Sequence, residues 1–188
     1  MRNISDQEAI ESVKKGNQAD YSILVERYKN KAFSLLRRML RNKFDAEEVL
    51  QDCFLKAYNS LNSFKGESKF STWFYRIVYN TALTKLSSKK RKIETEMSSI
   101  DEHLNLESVY NSNNFEKEDL SVMINKLIDQ LPEKHSAILN MFYMNEMTCE
   151  EVSEAMNISI SNVKVLLYRS RNTLKDLIIK HNLTEELI

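Results

Sequence analysis

The sequence has almost none of the residues that make tight turns, with 2 Gly and 1 Pro in 188 residues. Sheets of several strands and glycine-rich phosphate cradles both depend on such residues, so neither is expected. Cysteine is equally sparse. Cys53 and Cys149 lie far apart without a CxxC partner, which excludes a zinc ribbon and a disulfide scaffold and predicts a reducing compartment. His103, His135 and His181 are scattered, with no carboxylate or cysteine at ligand spacing, so no metal is expected. No apolar run approaches the ~18–20 residues of a membrane span, and the opening MRNISDQEAI is too polar for a signal peptide. A cytoplasmic protein is expected. Nothing pairs a nucleophile with a base, and Asp45, Glu47 and Glu48 open a predicted helix, where acids meet the positive end of its dipole. Neither catalysis nor a cofactor is predicted.

What is present is charge, unevenly placed. The 27 basic and 27 acidic side chains cancel overall. Residues 1–92, however, hold 19 Lys and Arg against 10 Asp and Glu, residues 93–121 hold 1 against 8, and residues 122–188 hold 7 against 9. A basic first half suits a polyanion-binding surface, and the acidic stretch after it suits a solvated connector.

Apolar periodicity predicts an all-α fold of two small helical domains. Ser5 and Glu8 form a capping box for a short helix near 5–15, stopped by Gly16. A long amphipathic helix follows over 19–41, another starts at Asp45 and runs through Phe54, Leu55 and Leu61, and a fourth covers about 71–86. Residues 93–118 lack sustained periodicity and contain Asn111-Ser112-Asn113-Asn114, which predicts a flexible acidic linker between a domain at 1–92 and one at 119–188. Helices are then predicted at about 119–130, 133–144, 148–156 and 160–180, with Pro132 opening the second.

In the last domain, Thr148 and Glu151 make a second capping box before a short helix, a turn at Asn157-Ile158, and a longer helix from Ser159 or Ser161. That order matches a helix-turn-helix. At 100° per residue, Ile160, Val163, Leu167, Leu174 and Ile178 form a core-facing stripe, with Ser161, Asn162, Val165, Arg169 and Asn172 opposite. Lys164, Tyr168, Arg171 and Lys175 lie on one flank, and no acid occurs between 155 and 175. A recognition helix on DNA fits this pattern, as does a solvated helix of an ordinary bundle. In the first domain, Lys69, Trp73, Arg76, Asn80 and Ser87 share one helical face, while Phe70, Phe74 and Ile77 share another. A stripe of cation, ring and amide suits single-stranded nucleic acid, where rings stack on bases and cations follow phosphates. A core tryptophan beside ordinary surface charge fits as well.

Two blocks resemble a known family. Asp45-Ala-Glu-Glu-Val-Leu-Gln-Asp-Cys-Phe-Leu-Lys-Ala-Tyr58 and Phe64-Lys-Gly-Glu-Ser-Lys-Phe-Ser-Thr-Trp-Phe-Tyr-Arg-Ile-Val-Tyr-Asn80 are similar to region 2 of bacterial sigma factors of the extracytoplasmic-function (ECF) group. Leu131-Pro-Glu-Lys and the helix-turn-helix at 148–175 are similar to region 4. The resemblance implies a promoter-specificity subunit of RNA polymerase. It implies that Gln51, Asp52, Phe54 and Lys56 dock on the clamp helices of the largest polymerase subunit, and that the second domain meets the flap of the second largest. Phe64, Lys65, Lys69, Trp73, Arg76 and Asn80 would read the minus-ten element as unpaired strand, with a flipped base near Phe64 and Asn80. Ser161, Asn162, Lys164, Val165, Arg169 and Arg171 would read the minus-thirty-five element in the major groove of duplex DNA, and the linker would thread toward the RNA exit path. Many members of the family are held inactive by an anti-sigma protein, so such a partner, or another recruiting protein, is a further expectation.

Energetics require a partner. Opening about ten base pairs costs about 14 kcal/mol at ~1.4 per step, and capturing two bases on aromatic surfaces returns only about 2–6. Polymerase must supply the rest. The sequence departs from the family in reading Asn162-Val-Lys-Val-Leu-Leu-Tyr-Arg169, where a polar residue and an arginine often follow Val-Lys. Val165 can touch a thymine methyl but cannot make the bidentate bond to guanine worth ~1–3 kcal/mol, so weak upstream readout is expected. Two other functions remain compatible with the residues: a stand-alone helix-turn-helix regulator and a helical adaptor that binds only protein.

Overall fold

The computed structural model describes residues 4–98 and 120–181. Eight α-helices are present among them and no strand. Helix α1 (Asp6–Lys14) starts where Ser5 Oγ accepts from the Glu8 N–H at 3.2 Å and Glu8 accepts from the Ser5 N–H at 2.7 Å. It ends before Gly16, whose φ of 102° suits only glycine. The Arg27 guanidinium and the Tyr28 hydroxyl both donate to Asp6, pinning α1 to α2 (Tyr21–Leu40).

Helix α3 (Lys43–Ser60) starts ahead of Asp45 because Asn42 is the cap, its side chain accepting from the Asp45 N–H at 3.0 Å. Helix α4 (Phe70–Ser98) packs on α2 and α3. The rings of Phe54 and Phe74 stack at 4.7 Å, and those of Phe70 and Phe74 at 5.9 Å. Lys85 bridges Asp45 and Glu48 at 3.5 and 2.7 Å, tying the start of α3 to α4. Helix α4 continues to Ser98, beyond both the predicted helix and the predicted start of the linker. No glycine or proline interrupts it, and Lys90 and Glu94 pair one turn apart at 3.8 Å. The rest of the predicted linker, 99–118, lies outside the described residues.

The second unit comprises α5 (Leu120–Gln130), α6 (Glu133–Leu139), a π-helical turn at Asn140–Met144, α7 (Cys149–Met156) and α8 (Ile160–Lys180). Pro132 caps the entry to α6, as expected. In α8, Val163 and Leu167 are buried and Leu174 and Ile178 are half-buried, matching the predicted stripe. Ile160 departs from it. It is the first residue of α8, where the chain has only just turned from α7, and 40% of it is exposed.

The two units are closed on one another. Helix α4 lies against α7 and α2 against α6, and buried residues of both belong to one continuous apolar cluster.

Candidate nucleic-acid interface

The stripe expected on α4 exists. Lys69 at its entry and Arg76, Asn80 and Ser87 along it are exposed and Trp73 is half-buried, and Lys65 is exposed in the loop ahead of it. The centre of the indole lies 5.0 Å from that of the Phe64 ring and 5.7 Å from that of Phe70, both tilted, so aromatic neighbours hold a half-buried ring. Phe64 is not an exposed platform. It is 7% exposed, because the short loop between α3 and α4 folds its ring onto Phe70 and Trp73 and Lys14 donates to its carbonyl at 2.7 Å. It helps to wall a cavity of about 530 Å3 with Ser68, Lys69, Phe70 and Ser71. Asn80 lies seven residues beyond Trp73 on α4, about 10 Å along the axis. The loop side of the stripe and Asn80 therefore form separate stations.

On α3, Gln51, Asp52 and Lys56 are exposed, the last donating to Thr81 Oγ1 at 3.2 Å. Phe54 is not on that face. Its ring is buried against Phe74 and edge-on to Tyr21, so it supports the helix from within. The apolar groups that do face outward are Leu55, 62% exposed, and Phe44, 79% exposed. Residues 54 and 55 are adjacent, and a 100° step places only one of them inward.

The helix-turn-helix is built as the capping pattern predicts. Thr148 Oγ1 accepts from the Glu151 N–H at 3.2 Å, and Glu151 Oε2 accepts from the Thr148 N–H at 2.8 Å. Asn157 closes α7 in the left-handed region with φ 54°, and Ser159 Oγ caps α8 at the Asn162 N–H, 3.2 Å away. Ser161, Asn162, Lys164, Val165 and Arg169 are exposed on α8, as is Tyr168. Arg171 is exposed too, but its guanidinium lies 5.6 Å from the Tyr143 ring centre and 6.0 Å from that of Phe142. It braces α8 on the π-helical turn, a contact that spacing within α8 could not reveal.

Part of the candidate DNA face of α8 meets α4 across the seam, beside the α4 stripe rather than on it. A cavity of about 340 Å3 is walled by Tyr79 and Leu83 of α4 and by Asn162, Val165 and Arg169 of α8. Lys69 pairs with Glu151 at 2.8 Å. The Tyr75 hydroxyl donates to Asn145 Oδ1 at 3.1 Å, and the Asn140 side-chain amide donates to Ser34 Oγ at 3.2 Å. At the other end, Arg38 donates to Asp129 at 3.0 Å and to Asn125 at 2.5 Å, and Arg41 donates to the Leu131 carbonyl at 2.7 Å. Glu151 titrates below the ordinary glutamate value. Burial acts to raise it, but the Lys69 and Thr148 hydrogen bonds and the Lys69 charge outweigh burial. His135 is held below the ordinary imidazole value by burial and then by the Arg169 charge.

Comparison with known proteins decides what this pair of units is. Residues 24–92 match the model for Sigma-70 region 2 and residues 121–174 that for Sigma-70, region 4. The chain is 33% identical over 174 residues to the ECF RNA polymerase sigma factor SigW of Bacillus subtilis, covering 88% of this chain and 92% of that protein. It belongs to the ECF sigma factors. A second relative, the ECF RNA polymerase sigma-E factor of Escherichia coli K12, is 32% identical over 178 residues, covering 91% of this chain and 93% of the relative. The fold matches that of CnrH in complex with the cytosolic domain of CnrY, with a TM-score of 0.67 at 19% identity over 93% of this chain and 97% of the other. It also matches the sigma factor RpoE in complex with the anti-sigma factor NepR from Bartonella quintana, with a TM-score of 0.66 at 17% identity over 85% and 96%. An ECF sigma factor is a transcription initiation factor, a subunit that gives RNA polymerase its promoter. No helix among the described residues is long and apolar enough to cross a membrane.

Proposed function

We propose that this ECF sigma factor reads the minus-ten element as unpaired strand on α4 and the minus-thirty-five element as duplex on α8, while α3 docks on the clamp helices of polymerase in the cytoplasm. The observation that carries this reading is the half-buried Trp73, held against Phe64 and Phe70 and flanked by exposed Lys69 and Arg76. A ring held this way stacks on an unpaired base without first being ordered, and the cations beside it follow the backbone. Phe64 shapes the loop-side cavity, and Asn80 offers an amide to a base edge farther along. On α8, Ser161, Asn162, Lys164 and Arg169 supply polar and phosphate contacts, Val165 an apolar one, and Arg171 orients the helix from its aromatic brace. On α3, Gln51, Asp52, Leu55 and Lys56 form the docking face over the buried Phe54. The acidic segment at 93–118 would connect the two units along the RNA exit path, and an anti-sigma protein would act by holding them closed.

Transcription with core polymerase on a promoter library tests the reading. Trp73→Ala and Asn80→Ala are expected to abolish initiation while leaving copurification with polymerase intact. If Asn80→Ala leaves initiation unchanged while alanine at Ser161, Asn162 and Arg169 abolishes it, the minus-ten station does not carry the specificity. A chain that fails to bind polymerase but binds promoter duplex tightly on its own would instead be a stand-alone regulator.

A further inference from the structure

One cavity of the seam is unaccounted for by DNA or polymerase. It has a volume of about 300 Å3, lies where the end of α2 meets α5, and is walled by Arg37, Arg38, Arg41, Lys43 and Asp129. That is about ten water volumes at ~30 Å3 each, room for a small polyatomic ion. Asp129 accepts from Arg38 at 3.0 Å and from Arg37 at 3.4 Å, and Glu47 stands 3.7 Å from Lys43. Arg41 donates to a neutral carbonyl, that of Leu131. Four cations thus face two carboxylates.

The imbalance is greatest at Arg38. Its side chain is 8% exposed, two of its nitrogens are engaged by Asp129 and Asn125, and its Nε has no hydrogen-bond partner among the described residues. Burial lowers its pKa, the Asp129 charge acts to restore it, and the Arg37 charge opposes that restoration. Cations near the C-terminus of α2 are explained by its dipole. The dipole does not explain four cations around one open volume with a single carboxylate, Asp129, on its wall, where the desolvation of the buried Arg38 is incompletely offset.

We propose that this cavity binds a small phosphate-type polyanion, with diphosphate as the matching chemistry. Its oxygens suit the remaining guanidinium donors of Arg41 and the Arg38 nitrogen that Asp129 now holds, and its multiple charge answers the surplus from Arg37 and Lys43. Asp129 accepts from one nitrogen of Arg38 and, through its other oxygen, from one of Arg37, so the anion competes with that carboxylate and its binding loosens the hold of α5 on α2.

Calorimetric titration of the full chain with pyrophosphate, at constant ionic strength, tests this. One saturable site per chain is expected. The double substitution Arg37→Ala and Lys43→Ala, both at exposed side chains, is expected to weaken binding about tenfold, equivalent to about 1.4 kcal/mol. Asp129→Asn is expected to strengthen it by a similar factor, because the competing carboxylate is gone. Absence of a saturable site, equal binding by the double variant, or weaker binding by Asp129→Asn would each overturn the proposal. So would displacement of pyrophosphate by a thymidine oligonucleotide at lower concentration, which would assign these cations to the nucleic-acid backbone. The titration uses the chain without polymerase, so its failure leaves the promoter reading standing, and failure of the transcription assay leaves the anion site standing.

Discussion

The closed seam and the promoter reading cannot coexist in one conformation. Elements named for positions minus ten and minus thirty-five lie about 25 base pairs apart, on the order of 80 Å at ~3.4 Å per step. Lys69 of the first unit touches Glu151 of the second at 2.8 Å. Promoter engagement therefore requires the units to separate, and weakening the seam should raise the affinity of the free chain for duplex. Tyr75→Phe is the cleanest such perturbation. The ring is buried, its hydroxyl donates to Asn145 Oδ1 at 3.1 Å, and phenylalanine keeps the ring and removes only that donor. A neutral hydrogen bond contributes about 0.5–1.5 kcal/mol net, and an acceptor left buried without a donor costs about 1–3. In the open state water satisfies both groups, so the loss falls on the closed state at about 1–2 kcal/mol, a roughly 5–30-fold shift toward opening. Apparent affinity scales with the competent fraction. Fluorescence anisotropy with a labelled minus-thirty-five duplex should therefore show Tyr75→Phe binding roughly 5–30-fold more tightly than the parent at the same salt. Equal or weaker binding by a variant that keeps its helical circular dichroism would refute the reasoning.

Phe74→Ala removes a fully buried ring stacked on Phe54 and Phe70, and is expected to cost about 3–5 kcal/mol in urea denaturation. Glu151 has a folded pKa below its ordinary value of 4.5, so its contribution is fully present above that value and is lost as pH falls through the lower folded one. Glu151→Gln keeps an acceptor for the Thr148 N–H and should flatten the acid side of the urea midpoint, measured from about pH 6 to about pH 3.5. Lys164→Ala should weaken duplex binding evenly across sequences and reduce the slope of log K against log salt by about 1.

Local signals carried much of the architecture. Ser5 with Glu8 and Thr148 with Glu151 mark their helix starts, because each cap is closed by atoms three residues apart. The separation of Phe74, inward, from Trp73, half-outward, follows from the 100° step alone. The sequence was misleading where a neighbour decides the outcome. The Phe54 ring turns inward onto Phe74, although the family resemblance places it on the docking face. Phe64 sits in a loop whose fold depends on Lys14, fifty residues earlier. The seam was illegible for the same reason. Arg38 with Asp129, Tyr75 with Asn145 and Lys69 with Glu151 join residues seventy or more apart, across a segment that periodicity described only as a linker.

The seam also gives Val165 a physical reason that a DNA-reading role alone does not. In the closed state it is 48% exposed and walls a cavity with Tyr79, Leu83, Met156 and Leu166, and with Lys134 and Arg169 as the nearby cations. An apolar side chain loses little there and loses little against a thymine methyl, so valine serves both states. Arginine would add a third cation to that wall, favouring the open state, and would supply the guanine contact that valine lacks, worth ~1–3 kcal/mol. Val165→Arg is therefore expected to bind duplex more tightly as the free chain and, with polymerase on a randomised minus-thirty-five library, to enrich guanine at one position. Unchanged base preference with tighter free-chain binding would place Val165 in the seam alone. Changed preference without tighter binding would place it on DNA alone. If neither changes, Val165 belongs to neither surface and the facing of α8 toward α4 has no bearing on promoter choice.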